Sequence, residues 1–104
     1  MLNNINPEEF SRRNVRMRFI SLVRFKGKPT KKAIAQSIKC IKHEAANDGI
    51  KILAHYWTLG RYDSIIIIEA PDEQAVLRMA VRRGRCMSME TLVAIPVEEA
   101  RKLV

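Results

Sequence analysis

The sequence predicts an α+β domain in which four strands and two helices alternate as β-α-β-β-α-β. Three observations predict it. Four segments show two-residue alternation or a dense β-branched and aliphatic run. Two others repeat apolar residues at spacings of three and four. Glycine, proline and asparagine fall at the junctions. The chain has 104 residues, about one domain's worth. Apolar residues make up 47% and charged residues 29%, the balance of a folded globular chain.

Residues 1–15 read as a polar and basic extension, followed by one domain over 16–104. Within the extension, Asn6-Pro7-Glu8-Glu9 has the pattern of a short helix start, with Asn at the cap, Pro at the first helical position and acids in the first turn. Arg16–Phe25 alternates and reads as the first strand. Met17, Phe19, Val23 and Phe25 share one face; Ile20 and Leu22 lie on the other, flanked by Arg18 and Arg24. Lys26-Gly27-Lys28-Pro29 breaks it. Thr30 is placed to cap a helix whose Ile34, Ile38, Ile41 and Ala45 form one stripe. Asn47-Asp48-Gly49 stops that helix, with Gly49 suited to the left-handed position. Ile50–Leu59 and Asp63–Ala70 read as an antiparallel hairpin around Gly60-Arg61-Tyr62. Glu73–Arg83 is the second helix, its inner face Val76, Met79 and Ala80, ended by Gly84. Met87–Ile95 is the fourth strand, and Val97–Leu103 a short closing helix.

This order is the split-βαβ, ferredoxin-like arrangement, a four-stranded antiparallel or mixed sheet with two helices on one face. Its crossovers are expected to set the first and third strands side by side and parallel at the centre. The third strand carries Ile65-Ile66-Ile67-Ile68 without alternation, so two isoleucines point to each face. A half-solvated strand alternates, and leaving a large aliphatic side chain exposed forfeits roughly 1.5–3 kcal/mol. The face without helices therefore calls for a cover. A second copy packed sheet to sheet is the simplest one, and residues 1–15 with 97–104 are the intramolecular alternative. A homo-oligomer, a dimer or dimer-based, is expected.

Around the hairpin the chain reads Leu59-Gly60-Arg61-Tyr62-Asp63, then isoleucines, then Glu69-Ala70-Pro71-Asp72; Glu90-Thr91-Leu92 follows. These three elements, in this order, resemble the GYD domain family over about residues 16–100. The resemblance implies a small prokaryotic protein of the dimeric α+β barrel type and brings no established activity with it. The N-terminal extension and the basic Lys26-Gly27-Lys28 turn depart from that pattern.

Charge and cysteine narrow the function classes. The net charge is +8, and residues 1–32 hold nine basic residues against Glu8 and Glu9. Arg12, Arg13, Arg24, Lys26 and Lys28 are the candidates for an anion patch. Nucleic-acid binding through them is the weaker reading, because no zinc-finger, helix-turn-helix or aromatic RNA-binding signature accompanies them. No apolar run nears the roughly 20 residues that span a bilayer, and the N-terminus does not read as a secretory signal. Cys40 and Cys86 have no C-x-x-C partner and read as free thiols of a reducing cytoplasm. No phosphate loop, nucleophile elbow or His-Glu-x-x-His element occurs, and neither metal nor cofactor is expected.

What remains is a concentration of aromatic and ionisable residues about one hairpin. His55, Tyr56, Trp57, Tyr62, Asp63 and Glu69 are the candidate wall of a small-ligand cleft between sheet and helices. His55 and Trp57 share a strand parity with Leu53 and Leu59; Tyr56 goes with Ile52, Ala54 and Thr58. Gly60, Tyr62 and Asp63 also have a purely structural reading as a turn with a positive-φ glycine and a backbone-bonding Asp. Glu69 and Glu90, set among apolar strand residues, need ion-pair partners such as Arg18, Arg24 or Arg61. A non-catalytic homo-oligomer that binds a small ligand is the leading expectation. A cofactor-free oxygenase or decyclase, by fold analogy alone, is the alternative.

Overall fold

The computed structural model describes residues 16–84 and 87–104. The Asn6–Glu9 helix start, Arg12, Arg13 and Cys86 lie outside the described residues. The elements are β1 (Met17–Phe25), α1 (Lys31–Asn47), β2 (Lys51–Trp57), β3 (Ser64–Ala70), α2 (Glu73–Arg83), β4 (Met87–Ala94) and α3 (Val97–Ala100), followed by a 3₁₀ turn at Arg101–Leu103. The fold is α+β with the ferredoxin-like order of elements.

The four strands form one sheet in the order β2-β3-β1-β4. β1 and β3 are central neighbours as expected, but they are antiparallel, with Met17 opposite Ala70 and Val23 opposite Ser64. The expectation of a parallel central pair fails for a topological reason. The α1 crossover returns β2 parallel to β1 one position away, and the hairpin then reverses β3 into the gap between them. The other two pairings are antiparallel as well.

Strand parity sorts the residues between two faces. Phe19, Ser21 and Val23 of β1, Ser64, Ile66, Ile68 and Ala70 of β3 and Met87 of β4 are buried on one face. Both helices cover that face: Ile41 and Ala45 from α1 and Ala75, Val76 and Met79 from α2 join one core with these residues. Inside it, the Ser21 and Thr91 hydroxyls are 3.0 Å apart and bond across β1 and β4. Such pairing is what a fully buried hydroxyl needs.

Local chemistry sets the helix ends. Thr30 Oγ1 accepts from the Ala33 N–H at 3.1 Å, and Asp72 Oδ1 accepts from the Ala75 N–H at 2.9 Å, each a side-chain N-cap. Gly49 takes φ 72°, and the Ile50 N–H donates to the Ala45 carbonyl at 2.7 Å, so the chain turns sharply off α1 into β2. Arg78 and Arg82 of α2 both pair with Asp48 at that turn, which ties the two helices together at one end.

On edge strand β2 the simple parity breaks. Ile52 pairs with Ile68 and Ala54 with Ile67, so Leu53 is an inserted residue. The bulge puts Ile52 on the helix face together with His55 and Trp57, opposite Ile66 and Ser64, and puts Ala54 and Tyr56 on the other face. A one-residue insertion flips every later side chain relative to the earlier ones. That is why Ile52 leaves the group assigned to it by uninterrupted alternation.

Candidate functional site

Helix α1 does not lie evenly on the sheet. Its stripe is buried at Ile41 and Ala45, half-buried at Ile34 and 39% exposed at Ile38. The first two turns leave space beneath them, a cavity of about 300 Å³. That volume sits at the small end of the range for ligand sites. Val23, Ile66 and Met87 of the sheet and Ile34, Ile38 and Ile41 of the helix give it an apolar interior. Phe25 and Trp57 stand on its wall with ring centroids 5.4 Å apart and tilted by 57°, a favoured aromatic geometry. Ser37, Ser64 and His55 supply polar groups, and the exposed Lys26-Gly27-Lys28-Pro29 loop lines the rim.

His55 projects from β2 into this space. Burial lowers its pKa from the ordinary value, because desolvation disfavours the imidazolium. No Asp or Glu among the described residues lines the cavity, so His55 faces no acid across it. Among the described residues no group of three His, Cys, Asp or Glu is placed to hold a metal ion.

The other hairpin residues go elsewhere, each in its own setting. Tyr56 lies on the open face, 59% exposed. The Tyr62 hydroxyl donates to Glu90 Oε2 at 2.6 Å, and that bond to the carboxylate raises the phenol's pKa. Asp63 acts as a clamp between strands. Its Oδ2 accepts from the Phe25 N–H at 2.7 Å, its own N–H donates to the Val23 carbonyl at 2.7 Å, and its carbonyl accepts from the Thr58 N–H at 2.9 Å. Thr58 Oγ1 donates to the Tyr62 carbonyl at 2.7 Å, which closes the hairpin loop; Gly60 supplies φ 100° within it. Glu69 lies on the open face, where Arg18 meets it at 3.0 Å and Arg16 at 3.7 Å.

Of the six hairpin candidates, the structure thus brings His55 and Trp57 to the cavity and sets Tyr56, Tyr62, Asp63 and Glu69 outside it. Of the basic candidates, Lys26 and Lys28 reach its rim, while Arg24 is exposed on the open face opposite Ser88. Sequence reasoning missed Phe25, Ser37, Ile34 and Ile38 as site residues. The usable signal was an apolar helix stripe beginning directly after a lysine-rich break, which reads equally well as ordinary core.

The open face has its own character. Ile20, Leu22, Ile65 and Ile67 are half-buried at its centre, with Leu92 45% exposed beside them. Charged groups sit at its margins, Arg18 with Glu69 at one end and Glu90 with Tyr62 toward the other. No helix among the described residues is long and apolar enough to cross a membrane.

Comparison with known proteins adds two findings. A family model described as the GYD domain matches residues 19–104. A Thermus thermophilus protein named glutamine synthetase and cystathionine beta-lyase binding protein is 37% identical over 68 residues, 62% of this chain and 70% of that protein.

Proposed function

The chain belongs to the GYD domain family, and from that premise we propose a small binding protein, a sheet-to-sheet homodimer with a small-molecule site under α1 in each subunit. The observation that carries the reading is the uncovered start of the α1 stripe. Ile34 and Ile38 face a cavity of about 300 Å³ rather than packed side chains. An apolar cleft of this size with an aromatic pair on its wall has the usual make-up of a small-molecule site. Binding is favoured over catalysis because no acid among the described residues lines the cavity beside His55, and a proton-transfer step needs a second group within reach.

The dimer rests on the other face. The half-buried patch of Ile20, Leu22, Ile65 and Ile67 has an uncharged centre and charged margins, which a two-fold copy matches. Because the cavity lies on the opposite side of the sheet, assembly leaves it accessible. We place the protein in the reducing cytoplasm, which suits an exposed free thiol at Cys40.

A thermal-shift screen of small apolar and amphipathic molecules tests the site. Stabilising compounds should lose their effect in Ala33→Phe, which fills the cavity from an exposed helix position. A flat screen, or hits indifferent to that substitution, would refute the site. Sedimentation of Ile67→Lys tests the dimer: wild type should run as a dimer and the variant as a folded 12.0 kDa subunit.

A second reading, docking onto a larger enzyme, takes its support from the relative's name. It gains from Leu77 and Val81, one turn apart on the outside of α2 and 63% and 72% exposed. Co-elution with purified glutamine synthetase that is lost in Leu77→Asp would favour it, and separate elution would remove it.

A further inference from the structure

Resting on the reading of the α1 cavity as a small-molecule site, we propose that its ligand is an amphipathic anion. The apolar body lies under α1, and a carboxylate or phosphate head sits at Lys26-Gly27-Lys28. The first support is the distribution of polarity on the wall. The interior is aliphatic and aromatic, the cationic groups gather at one end, and no acid among the described residues lines any part of it although the chain holds 11 Asp and Glu.

Of the two lysines at that end, Lys26 is anchored by a hydrogen bond. Lys26, which lines the cavity, donates from Nζ to the Gly84 carbonyl at 2.6 Å, and an ammonium has two further N–H groups to donate. Among the described residues no carboxylate lies in ion-pair range of Lys26 or Lys28. Gly27 between them has φ 109°, and the space where a Cβ would stand is open; a head group can approach the backbone there.

The start of α1 reinforces the sign. Acids are favoured in the first turn of a helix, yet this turn has none and instead begins with Lys31 and Lys32. Residues 26–32 carry four lysines and no acid. This arrangement weakens the helix start unless a negative charge is brought to it. An anion at the cavity mouth supplies that charge where the ammonium groups already converge.

Size completes the description. At about 300 Å³ the cavity is at the small end of ligand sites, so the body is small, an eight-carbon chain or a substituted ring. Lysine acts as a point charge and does not select between carboxylate and phosphate by geometry, so the head group is to be distinguished by experiment.

Trp57, the chain's single tryptophan, lies on the cavity wall and reports directly. The full-length protein is titrated with octanoate, octyl phosphate, 1-octanol and octylamine while Trp57 emission is followed. The expected result is that one or both anions bind at least roughly tenfold more tightly than the alcohol and the amine, the effect of charge-assisted hydrogen bonds. The tighter of the two anions names the head group. Lys28→Glu, on an exposed loop, should abolish that preference while octanol binding survives. If octanol matches the anions, or octylamine exceeds them, the anion assignment is overturned and the cavity stands as a ligand site. If none of the four perturbs Trp57, the anion assignment and the site fall together.

Discussion

Replacing Asp63 by alanine separates a structural role for the Gly60–Asp63 turn from a ligand-binding one. The carboxylate accepts the Phe25 N–H at 2.7 Å in a part-buried position, just where β1 leaves the sheet. Alanine orphans that N–H and removes a charged acceptor. A hydrogen bond to a charged group contributes about 1.5–3 kcal/mol, and an unsatisfied buried donor costs a similar amount; we take about 2 kcal/mol for a half-buried site. In a domain of this size 1 kcal/mol moves Tm by about 4–8 °C, so the expected fall is about 8–16 °C. Asp63→Asn keeps an acceptor oxygen and should lose less than half of that. Thermal unfolding by circular dichroism must be compared at one protomer concentration, because any self-association shifts Tm by mass action. Amide exchange gives the direct readout, since the Phe25 amide should lose protection in Asp63→Ala while Val23 keeps its own. If Tm moves by less than about 2 °C and the Phe25 amide stays protected, the clamp reasoning is wrong and Asp63 must serve another purpose.

Gly60→Ala should destabilise by about 1 kcal/mol through backbone conformation alone, because φ is 100° and nothing crowds the position; the denaturation midpoint should fall with an unchanged m-value. Tyr62→Phe should remove from the ultraviolet absorbance a tyrosine titration that runs above the ordinary phenol value. The folded pKa of Tyr62 is raised, so its contribution is complete below about pH 10, the unfolded value, and is lost as pH rises through the folded pKa. The substitution should therefore flatten the alkaline limb of the stability profile. His55 has the opposite sense. Its folded pKa is lowered, so stability is complete above about pH 6.5 and declines as pH falls below that value toward the folded pKa. Urea midpoints of His55→Gln, followed from neutral into mildly acidic buffer, should lack that decline.

The elements themselves were legible because their signals are local. The α1 stripe, the Thr30 cap, Gly49 and the isoleucine strand each state their structure within a few residues, and each is found where the sequence puts it. The bulge at Leu53 was not legible. Nothing in Lys51–Trp57 marks an insertion, and its position is fixed by pairing with β3 rather than by its own residues. The candidate site divides along the same line. His55 and Trp57 reach the cavity because the strand after the bulge keeps its alternation. Tyr62 and Asp63 do not, because their partners, Glu90 and the Phe25 N–H, are distant in sequence and near only in the fold. The strand direction failed for the same reason, since it depends on the path of the hairpin and not on any residue within it.

Four isoleucines in sequence place two obligations on β3 at once. Ile66 and Ile68 are fully buried under the helices, and substitutions there act on folding of the single subunit. Ile65 and Ile67 are half-buried on the open face, opposite Leu22 and Ile20, and contribute little to a lone subunit that a smaller apolar residue would not. Their cost to solubility in a monomer is recovered only if something apolar meets them. The two pairs are therefore separable by substitution: Ile68→Ala should lower subunit stability by about 2–5 kcal/mol, with association changed only through the folded fraction. Ile67→Lys should weaken association with the subunit fold retained. A strand whose alternate residues answer to different measurements is what the proposed sheet-to-sheet dimer requires, with one face under the subunit's own helices and the other meeting a second copy.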